Sequence, residues 1–405
     1  MIIVDYRRKS PAILFSLSIF MVSFNYFFVR YINPGERTST LVSCIIFIIT
    51  FNILYIMIRA MTRSRGMYSI TYNKKDSNID GSSMEYLLFF QILFVVNILS
   101  VLGYLWIFDF SIQEILLRDW NESIGVIGLA ISFLFTLAFC SLAPFLLLKK
   151  RWYLLISLII VLLVMLTFRS RSLAISALAP FLLILLFIKP ENSSRTLRLI
   201  LLTILGCFGY FGYFLLQQIR YQGALTSLVD LDVNELFINT MSQMSSRNQG
   251  VGISELEIPY GFVWAMINAE YATFAGNFNT FIRMLTFYLP SSIKPVDTTK
   301  SLALAFGWSD GSYHPTVYGL AYLDGLTLGV VFGLVLGAIF NLLDKICTIL
   351  RVRHITLMTS YWGIYSVFAL LAARGSLSNA WISLIVASFL FFALLFFIKV
   401  SVKNA

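Results

Sequence analysis

Apolar residues in this chain form long runs, and short stretches rich in lysine and arginine separate many of them. A helix needs about 20 mainly apolar residues to cross about 30 Å of hydrocarbon. Ten runs approach this length, and they cover residues 11–29, 39–58, 86–108, 125–148, 153–168, 172–188, 199–219, 316–343, 355–373 and 380–398. The pattern therefore predicts an all-α fold, a polytopic membrane helix bundle of about ten transmembrane helices. We expect residues 1–405 to form a single multi-pass domain.

One connection, residues 220–315, is much longer than the others. Residues 227–244 mix leucines with acidic residues, which is typical of an amphipathic helix on a membrane surface. Residues 259–290 are apolar and aromatic but include Glu270 and Arg283. We interpret them as interfacial or re-entrant, because polar groups at that depth are tolerated where they line a cavity. The sequence thus predicts one large external loop containing amphipathic or re-entrant helices.

Composition excludes most other classes of protein. Hydrophobic residues make up 59% of the chain and charged residues 12%, and the mean hydropathy is +0.83. A soluble enzyme carries about 25% charged residues, because water must solvate its surface. The net charge is +10, and the basic residues lie between the apolar runs rather than in one cluster. When the ten spans are threaded through the membrane in order, 19 of the 30 basic residues fall on the same side of the membrane as the N-terminus. This bias predicts cytoplasmic termini, a periplasmic loop at 220–315 and no nucleic-acid partner.

Arginines on the outer side of this topology are the first candidates for chemistry. Arg169 and Arg171 occupy a tight turn between two spans, where the positive-inside rule disfavours them. Guanidinium groups bind phosphate bidentately, so a diphosphate ligand at the outer headgroup level would explain their position. Four further arginines that face outward are also candidates: Arg220, Arg247, Arg283 and Arg374. The alternative for Arg169 and Arg171 is interfacial anchoring, and the alternative for each of the other four is a solvated position or a contact with lipid phosphate.

The end of the long loop supplies a second set of candidates. Asp310, Tyr313 and His314 precede an apolar run, and an imidazole there could act as a general base near neutral pH. Asp324 lies within that run, where an acidic residue indicates function unless it caps a helix beside Gly325. The alternative for His314 is that it only orders the loop exit. His314 and His354 lie far apart and the four cysteines are scattered, so we predict no metal site.

Four glycines recur at intervals of four residues in the same apolar run. They are Gly325, Gly329, Gly333 and Gly337. On a continuous α-helix they would share one face and let another helix approach closely. This pattern predicts helix packing and carries no chemistry.

The layout and two local motifs resemble the O-antigen polymerases of the Wzy type, and more broadly the membrane polymerases and ligases of lipid-linked bacterial polysaccharides. The number of spans and the one large external loop late in the chain are similar. Ser170, Arg171 and Ser172, at the head of an apolar run, resemble the Ser-Arg step of the family. Residues 314–322, which lead into Asp324 and the glycine-rich run, are similar to the loop-exit segment shared with O-antigen ligases.

The resemblance implies a glycosyl transfer on the periplasmic face of a bacterial inner membrane, without metal or cofactor. A glycan leaves its undecaprenyl diphosphate carrier and joins an incoming lipid-linked repeat unit. Partners would be the undecaprenyl-diphosphate-linked oligosaccharide, the bilayer and a chain-length regulator protein. In this reaction His314, Arg171 and Arg283 would be catalytic, Arg169, Arg171, Arg220 and Arg247 would bind the diphosphate, and Asp310, Tyr313 and Asp324 would bind the sugar or acceptor.

Three other functions stay open on the sequence. An O-antigen ligase would use the same donor and the same arginines but a lipid A core acceptor. A flippase or another transporter of lipid-linked oligosaccharides would need charges along a central cavity. A membrane assembly subunit would need no chemistry.

Overall fold

The computed structural model describes residues 1–24, 34–61, 82–107, 140, 142–148, 150, 152–157, 159, 171–188, 262, 265–266, 268, 273–289, 293–305 and 314–404. The α-helices defined in these residues are α1 (Ile2–Arg7), α2 (Ile13–Phe24), α3 (Pro34–Met61), α4 (Ser82–Ile107), α5 (Leu142–Leu147), α6 (Arg171–Phe187), α7 (Asn279–Leu285), α8 (Thr298–Ala305), α9 (Thr316–Gly325), α10 (Phe332–Arg353), α11 (Ile355–Arg374) and α12 (Leu377–Asn404). A 3-10 helix, Leu326–Val331, connects α9 to α10. The described part of the chain is all helical and contains no strand.

Five helical segments among the described residues are long and apolar enough to cross a membrane. They are Val42–Met61, Tyr86–Gly103, Thr316–Arg353, Ile355–Arg374 and Leu377–Ile398. All five coincide with predicted spans. The predicted span at 199–219, and most of those at 125–148 and 153–168, lie outside the described residues. The chain is thus a helical membrane protein.

The run predicted as one span at 316–343 is not a single α-helix, and this is a correction. It is interrupted after Gly325, where Leu326 adopts a φ of 49° and a 3-10 helix begins. α10 then continues for 22 residues, about 33 Å at 1.5 Å per residue, which suffices to cross the bilayer. A side chain at Gly329 would collide with the carbonyl of Ala321, so glycine allows the 3-10 helix to pack back on α9.

The interruption also separates the four glycines that were predicted to share one face. Gly333 and Gly337 do face a neighbouring helix: a side chain at either position would collide with α3, at Phe51 and Ile58. Gly325 instead contacts the ring of Phe278. The predicted close approach of another helix is therefore confirmed at Gly333 and Gly337, whereas the single helical stripe is wrong.

The chain divides into two compact units. Unit 1 comprises residues 1–69, 252–353 and 365–385. Its centre is the pairing of α3 with α10, filled by aromatic rings such as Phe15, Phe340 and Tyr365, of which the last two stack at 5.8 Å. Because lipid tails are as apolar as these side chains, van der Waals packing rather than removal from water stabilises the pairing.

Unit 2 comprises residues 70–251, 354–364 and 386–405. Tyr153 stacks on Phe145 at 5.0 Å and meets Phe94 of α4 edge-on. The hydroxyl of Ser360 donates to the carbonyl of Cys140 at 2.6 Å. Aromatic contacts thus also organise the second unit.

The described parts of the stretch 259–290 contain a chain of turns at residues 273–276, followed by the seven-residue helix α7. One continuous helix through this stretch is therefore excluded. Its interpretation as interfacial or re-entrant stays a prediction.

Candidate functional site

Asp324, at the end of α9, connects three elements of unit 1. The residue is fully buried. Its Oδ2 accepts hydrogen bonds from the backbone amides of Thr280, at 2.8 Å, and Phe281, at 3.2 Å. Its Oδ1 accepts from the hydroxyls of Thr280, at 2.8 Å, and Thr298, at 3.0 Å. Thr280 is in the first turn of α7 and Thr298 begins α8, so one carboxylate holds two helix starts against α9.

α7 needs this external carboxylate because its own N-cap residue provides none. Phe278 adopts the left-handed backbone conformation, with a φ of 52°, and its side chain makes no capping hydrogen bond. Free amides at a helix start require acceptors, and a negative charge there also complements the helix dipole. Asp324 therefore caps a helix, as its alternative interpretation held, but the helix is α7 rather than its own. The contact predicted between Asp324 and a sugar or acceptor stays a prediction.

Arg283 lies in the last turn of α7 and reaches the segment that precedes α8. Its Nη1 donates to the carbonyl of Pro295 at 2.7 Å, and its Nη2 lies 3.5 Å from Oδ2 of Asp297. Asp297 in turn caps α8, because Oδ1 of Asp297 accepts hydrogen bonds from the amide of Thr299, at 3.0 Å, and from the hydroxyl of Thr299, at 2.7 Å. The Arg283 side chain is 25% exposed, so the guanidinium is held in place yet remains open to solvent.

A turn after α11 brings Arg374 to the start of α9. Gly375, with a φ of 92°, ends α11 in a Schellman motif: its amide donates to Ala372 and the amide of Ser376 donates to Leu371, both at 3.0 Å. A side chain on Gly375 would collide with the backbone of Thr316. The absence of that side chain lets Arg374 sit close to residues 314–316.

His314 is influenced by charges on both of these neighbouring segments. Burial, first, and then the positive charge of Arg374 lower the pKa of His314 to about 3, whereas Asp297 acts in the opposite direction. The imidazole is therefore neutral at pH 7 and able to accept a proton. The expected general base near neutral pH is a weak one in the protein without substrate.

Arg283 is paired with Asp297, and the charges of Asp297 and Arg374 both act on the imidazole of His314. Two guanidinium groups, a neutral imidazole and a carboxylate are suited to bind an anion beside a group that accepts a proton. We call these four residues the outer cluster.

The remaining predicted site residues are placed less fully. Arg171 begins α6, which agrees with its predicted position at the head of an apolar run. The residues Arg169, Arg220, Arg247, Asp310 and Tyr313 lie outside the described residues. Their roles stay predictions.

A second polar cluster in unit 1 was not predicted from the sequence. Arg59 donates to Oδ1 of Asp5 through Nη2 at 2.7 Å and through Nε at 3.0 Å, and to Oδ2 of Asp344 through Nη1 at 2.7 Å. Ser10 donates to Asp344 at 2.6 Å, and Arg8 donates to Asn341 at 2.9 Å and to the carbonyl of Arg59. All three residues of the central ion pairs are buried. We call Asp5, Arg8, Arg59 and Asp344 the inner cluster.

The inner cluster balances its charges, with two arginines and two aspartates. Buried ion pairs contribute little net stability, because desolvation offsets their attraction, but removing one partner is strongly destabilising. The cluster ties the N-terminal helix α1 to α3 and α10. Its hydrogen bonds indicate a structural role.

The described residues contain no group of three or more His, Cys, Asp or Glu side chains arranged to hold a metal ion. Comparisons of the chain with protein-family models, with curated proteins and with solved structures found no match.

Proposed function

We propose that the protein is a lipid-linked polysaccharide polymerase of the bacterial inner membrane. It would join undecaprenyl-diphosphate-linked repeat units by glycosyl transfer on the periplasmic face. The observation that carries the proposal is the outer cluster, in which cationic side chains and a neutral imidazole adjoin the start of a membrane segment.

The chemistry assigns the two kinds of group to two parts of the reaction. A hydroxyl oxygen of the acceptor sugar attacks the anomeric carbon of the donor glycan, and the bond from that carbon to the carrier diphosphate breaks. The hydroxyl proton passes to the imidazole of His314. Arg283 and Arg374 stabilise the charge that develops on the departing diphosphate. General-base assistance contributes about 10²–10⁴-fold in rate.

Donor binding would strengthen His314 as a base. Burial, first, and then the charge of Arg374 lower the pKa of the imidazole in the free protein. A diphosphate held beside Arg374 places negative charge near His314, and this charge favours the protonated imidazole. The base would thus be most effective when the donor is bound.

The proposal requires residues 220–315 to be periplasmic and both termini cytoplasmic, and labelling tests this directly. Ile293 is 67% exposed in the loop, and Val352 is 84% exposed near the end of α10. A cysteine at 293 should react with a membrane-impermeant maleimide in intact spheroplasts. A cysteine at 352 should react only after the membrane is opened. The reverse pattern would place the outer cluster on the cytoplasmic side of the membrane and contradict the proposal.

Deletion of the gene tests the function in cells. Surface polysaccharide on a gel should collapse to single repeat units on the lipid A core if the protein polymerises them. Complete loss of the glycan from the core, with carrier-linked polymer accumulating, would point to the O-antigen ligase. Accumulation of carrier-linked single repeat units on the cytoplasmic face of the membrane would point to a flippase.

Substitution in the outer cluster tests the assignment of groups. Arg283→Gln and Arg374→Gln should reduce transfer by purified protein from synthetic lipid-linked units and weaken donor binding, whereas His314→Ala should reduce turnover alone. Arg353→Gln, at the far end of α10, is the matched loss of an exposed arginine and should have no effect. Normal transfer by all three outer-cluster variants would contradict the proposal.

A further inference from the structure

The carboxylate of Asp324 determines where Arg283 can be. It accepts the two amides at the start of α7, and Arg283 follows three residues after Thr280 on that short helix. A seven-residue helix has too few internal hydrogen bonds to hold itself in place. The direction in which Arg283 points therefore depends on the contact at the other end of α7.

The same carboxylate also fixes the partner of Arg283. Its Oδ1 accepts from Thr298 at the first turn of α8, next to Asp297. The guanidinium of Arg283 meets both Asp297 and the carbonyl of Pro295 on this segment. Asp324 thus holds both elements that position the guanidinium: α7, which carries Arg283, and the start of α8, next to which Asp297 binds it.

Asp324 has no acceptor capacity left for a substrate. Each of its two oxygens already accepts two hydrogen bonds, about the full capacity of a carboxylate. The residue is completely buried and its main-chain carbonyl is occupied by the amide of Phe278 at 2.8 Å. A sugar could reach it only by displacing a helix start.

We propose that Asp324 is a positioning residue that places Arg283 for the diphosphate and does not touch the substrate. This replaces the sugar or acceptor contact predicted from its position in an apolar run. The kinetic part of the test rests on the proposed transfer reaction. Because a misplacement of about 1 Å can cost about 100-fold, Asp324→Asn should slow transfer by up to that factor.

A double-mutant cycle separates positioning from direct contact. If Asp324 acts through Arg283, then Asp324→Asn combined with Arg283→Gln should be no slower than the worse single variant, and inorganic pyrophosphate should bind to both single variants and to the double variant with the same reduced affinity. If the losses multiply, Asp324 contacts the substrate itself and the inference is overturned.

Hydrogen exchange supplies a readout that does not need the reaction. Asp324→Asn should speed amide exchange in residues 279–285 about tenfold, whereas Arg283→Gln should leave Thr280 and Phe281 protected. Unchanged exchange in Asp324→Asn would overturn the inference.

A milder pair of variants covers the case in which Asp324→Asn does not fold. Thr298→Val removes one hydroxyl donor to the carboxylate and should give a smaller loss in the same direction, with Thr298→Ser restoring wild-type rates. Thr286→Val is the matched control, because the Thr286 hydroxyl donates to the carbonyl of Ile282 in α7 and to no other group among the described residues. Equal loss in the two valine variants would overturn the inference.

The two proposals fail in different ways. A wild-type protein that transfers no glycan but binds pyrophosphate would refute the polymerase proposal, and the exchange and binding measurements would still decide the role of Asp324. A wild-type protein that does not bind pyrophosphate would refute both.

Discussion

Neutralising Asp344 should destabilise the protein more than any other single loss of charge on α10. In Asp344→Asn the shape is kept, but Arg8 and Arg59 then face only Asp5. One positive charge is left uncompensated among buried groups. Breaking a buried ion pair in this way costs about 3–5 kcal/mol.

The structure supports the upper part of this range. The lost charge accepts hydrogen bonds from Arg59 at 2.7 Å, Ser10 at 2.6 Å and Tyr365 at 3.0 Å, and the asparagine amide would meet some of these donors with donors of its own. The Asp344 side chain is only 2% exposed, so water cannot replace the lost acceptor.

Thermal unfolding of purified protein in detergent measures the effect. Asp344→Asn should melt several degrees below the wild type. Lys345→Gln is the matched control, since it removes an exposed charge at the next position of the same helix and should melt like the wild type. Asp344→Asn combined with Arg8→Gln restores charge balance and should melt above Asp344→Asn alone.

Equal melting temperatures of Asp344→Asn and Lys345→Gln would show that loss of the Asp344 carboxylate leaves no uncompensated charge in the inner cluster. The account of α1 as a helix tied to α3 and α10 by buried ion pairs would then be wrong. Failure of the double variant to recover stability would instead assign the loss to hydrogen bonds rather than to charge.

The remaining predictions concern His314 and three glycines. Because the pKa of His314 is about 3 in the folded protein and 6.5 when unperturbed, wild-type stability should fall as pH decreases from about 6.5 toward 3, and His314→Gln should flatten this dependence; a parallel pH dependence in the variant would contradict the shift. For the same reason, the pH profile of kcat/KM for transfer by the wild type should show no ionisation of His314 near pH 6.5, so His314→Gln should remove no ionisation there. Gly333→Ala should lower the melting temperature because its new methyl group would collide with α3, whereas Gly103→Ala, with nothing within 4 Å, should not. Gly375→Ala should reduce transfer, since the added methyl group pushes the Arg374 turn away from the start of α9; normal transfer would show that this close approach is unnecessary.

The membrane helices could be predicted from the sequence because burial in lipid requires long apolar runs whatever the tertiary structure. The predicted spans at 39–58, 355–373 and 380–398 fall within observed helices, and α4 covers residues 86–107 of the span predicted at 86–108. The interruption after Gly325 could not be predicted, because an apolar run with glycines is compatible with either a straight or a broken helix. Only the approach of Gly329 to Ala321 distinguishes the two.

Charged residues at the ends of apolar runs were harder to interpret. Arg59 and Asp344 each lie one residue beyond a predicted span, so the prediction places both in loops. Their pairing joins positions 285 apart in the sequence, and no local pattern indicates it. An opposite charge at the same depth of two neighbouring spans is the signal that would have suggested the pair.

The outer cluster was partly predicted. His314, Arg283 and Arg374 were singled out from their positions, whereas Asp297 was not, because a single Asp in a polar stretch carries no pattern. Its importance arises from two contacts at once, as the cap of α8 and as the partner of Arg283. Such a residue becomes recognisable only when the fold brings the two helices together.

The broken segment from α9 to α10 explains how one scaffold serves both clusters. Asp344 lies in α10 about 18 Å beyond the start of that helix at 1.5 Å per residue, while Asp324 ends α9 before the interruption. The inner cluster fixes α10 against α1 and α3, and Asp324 fixes α7 and α8 against α9. A continuous helix would carry both aspartates on one rigid rod, but the 3-10 helix lets α9 follow the packing of the loop. Buried carboxylates therefore lie on both sides of the interruption, Asp324 in α9 and Asp344 in α10, because each part must be held separately.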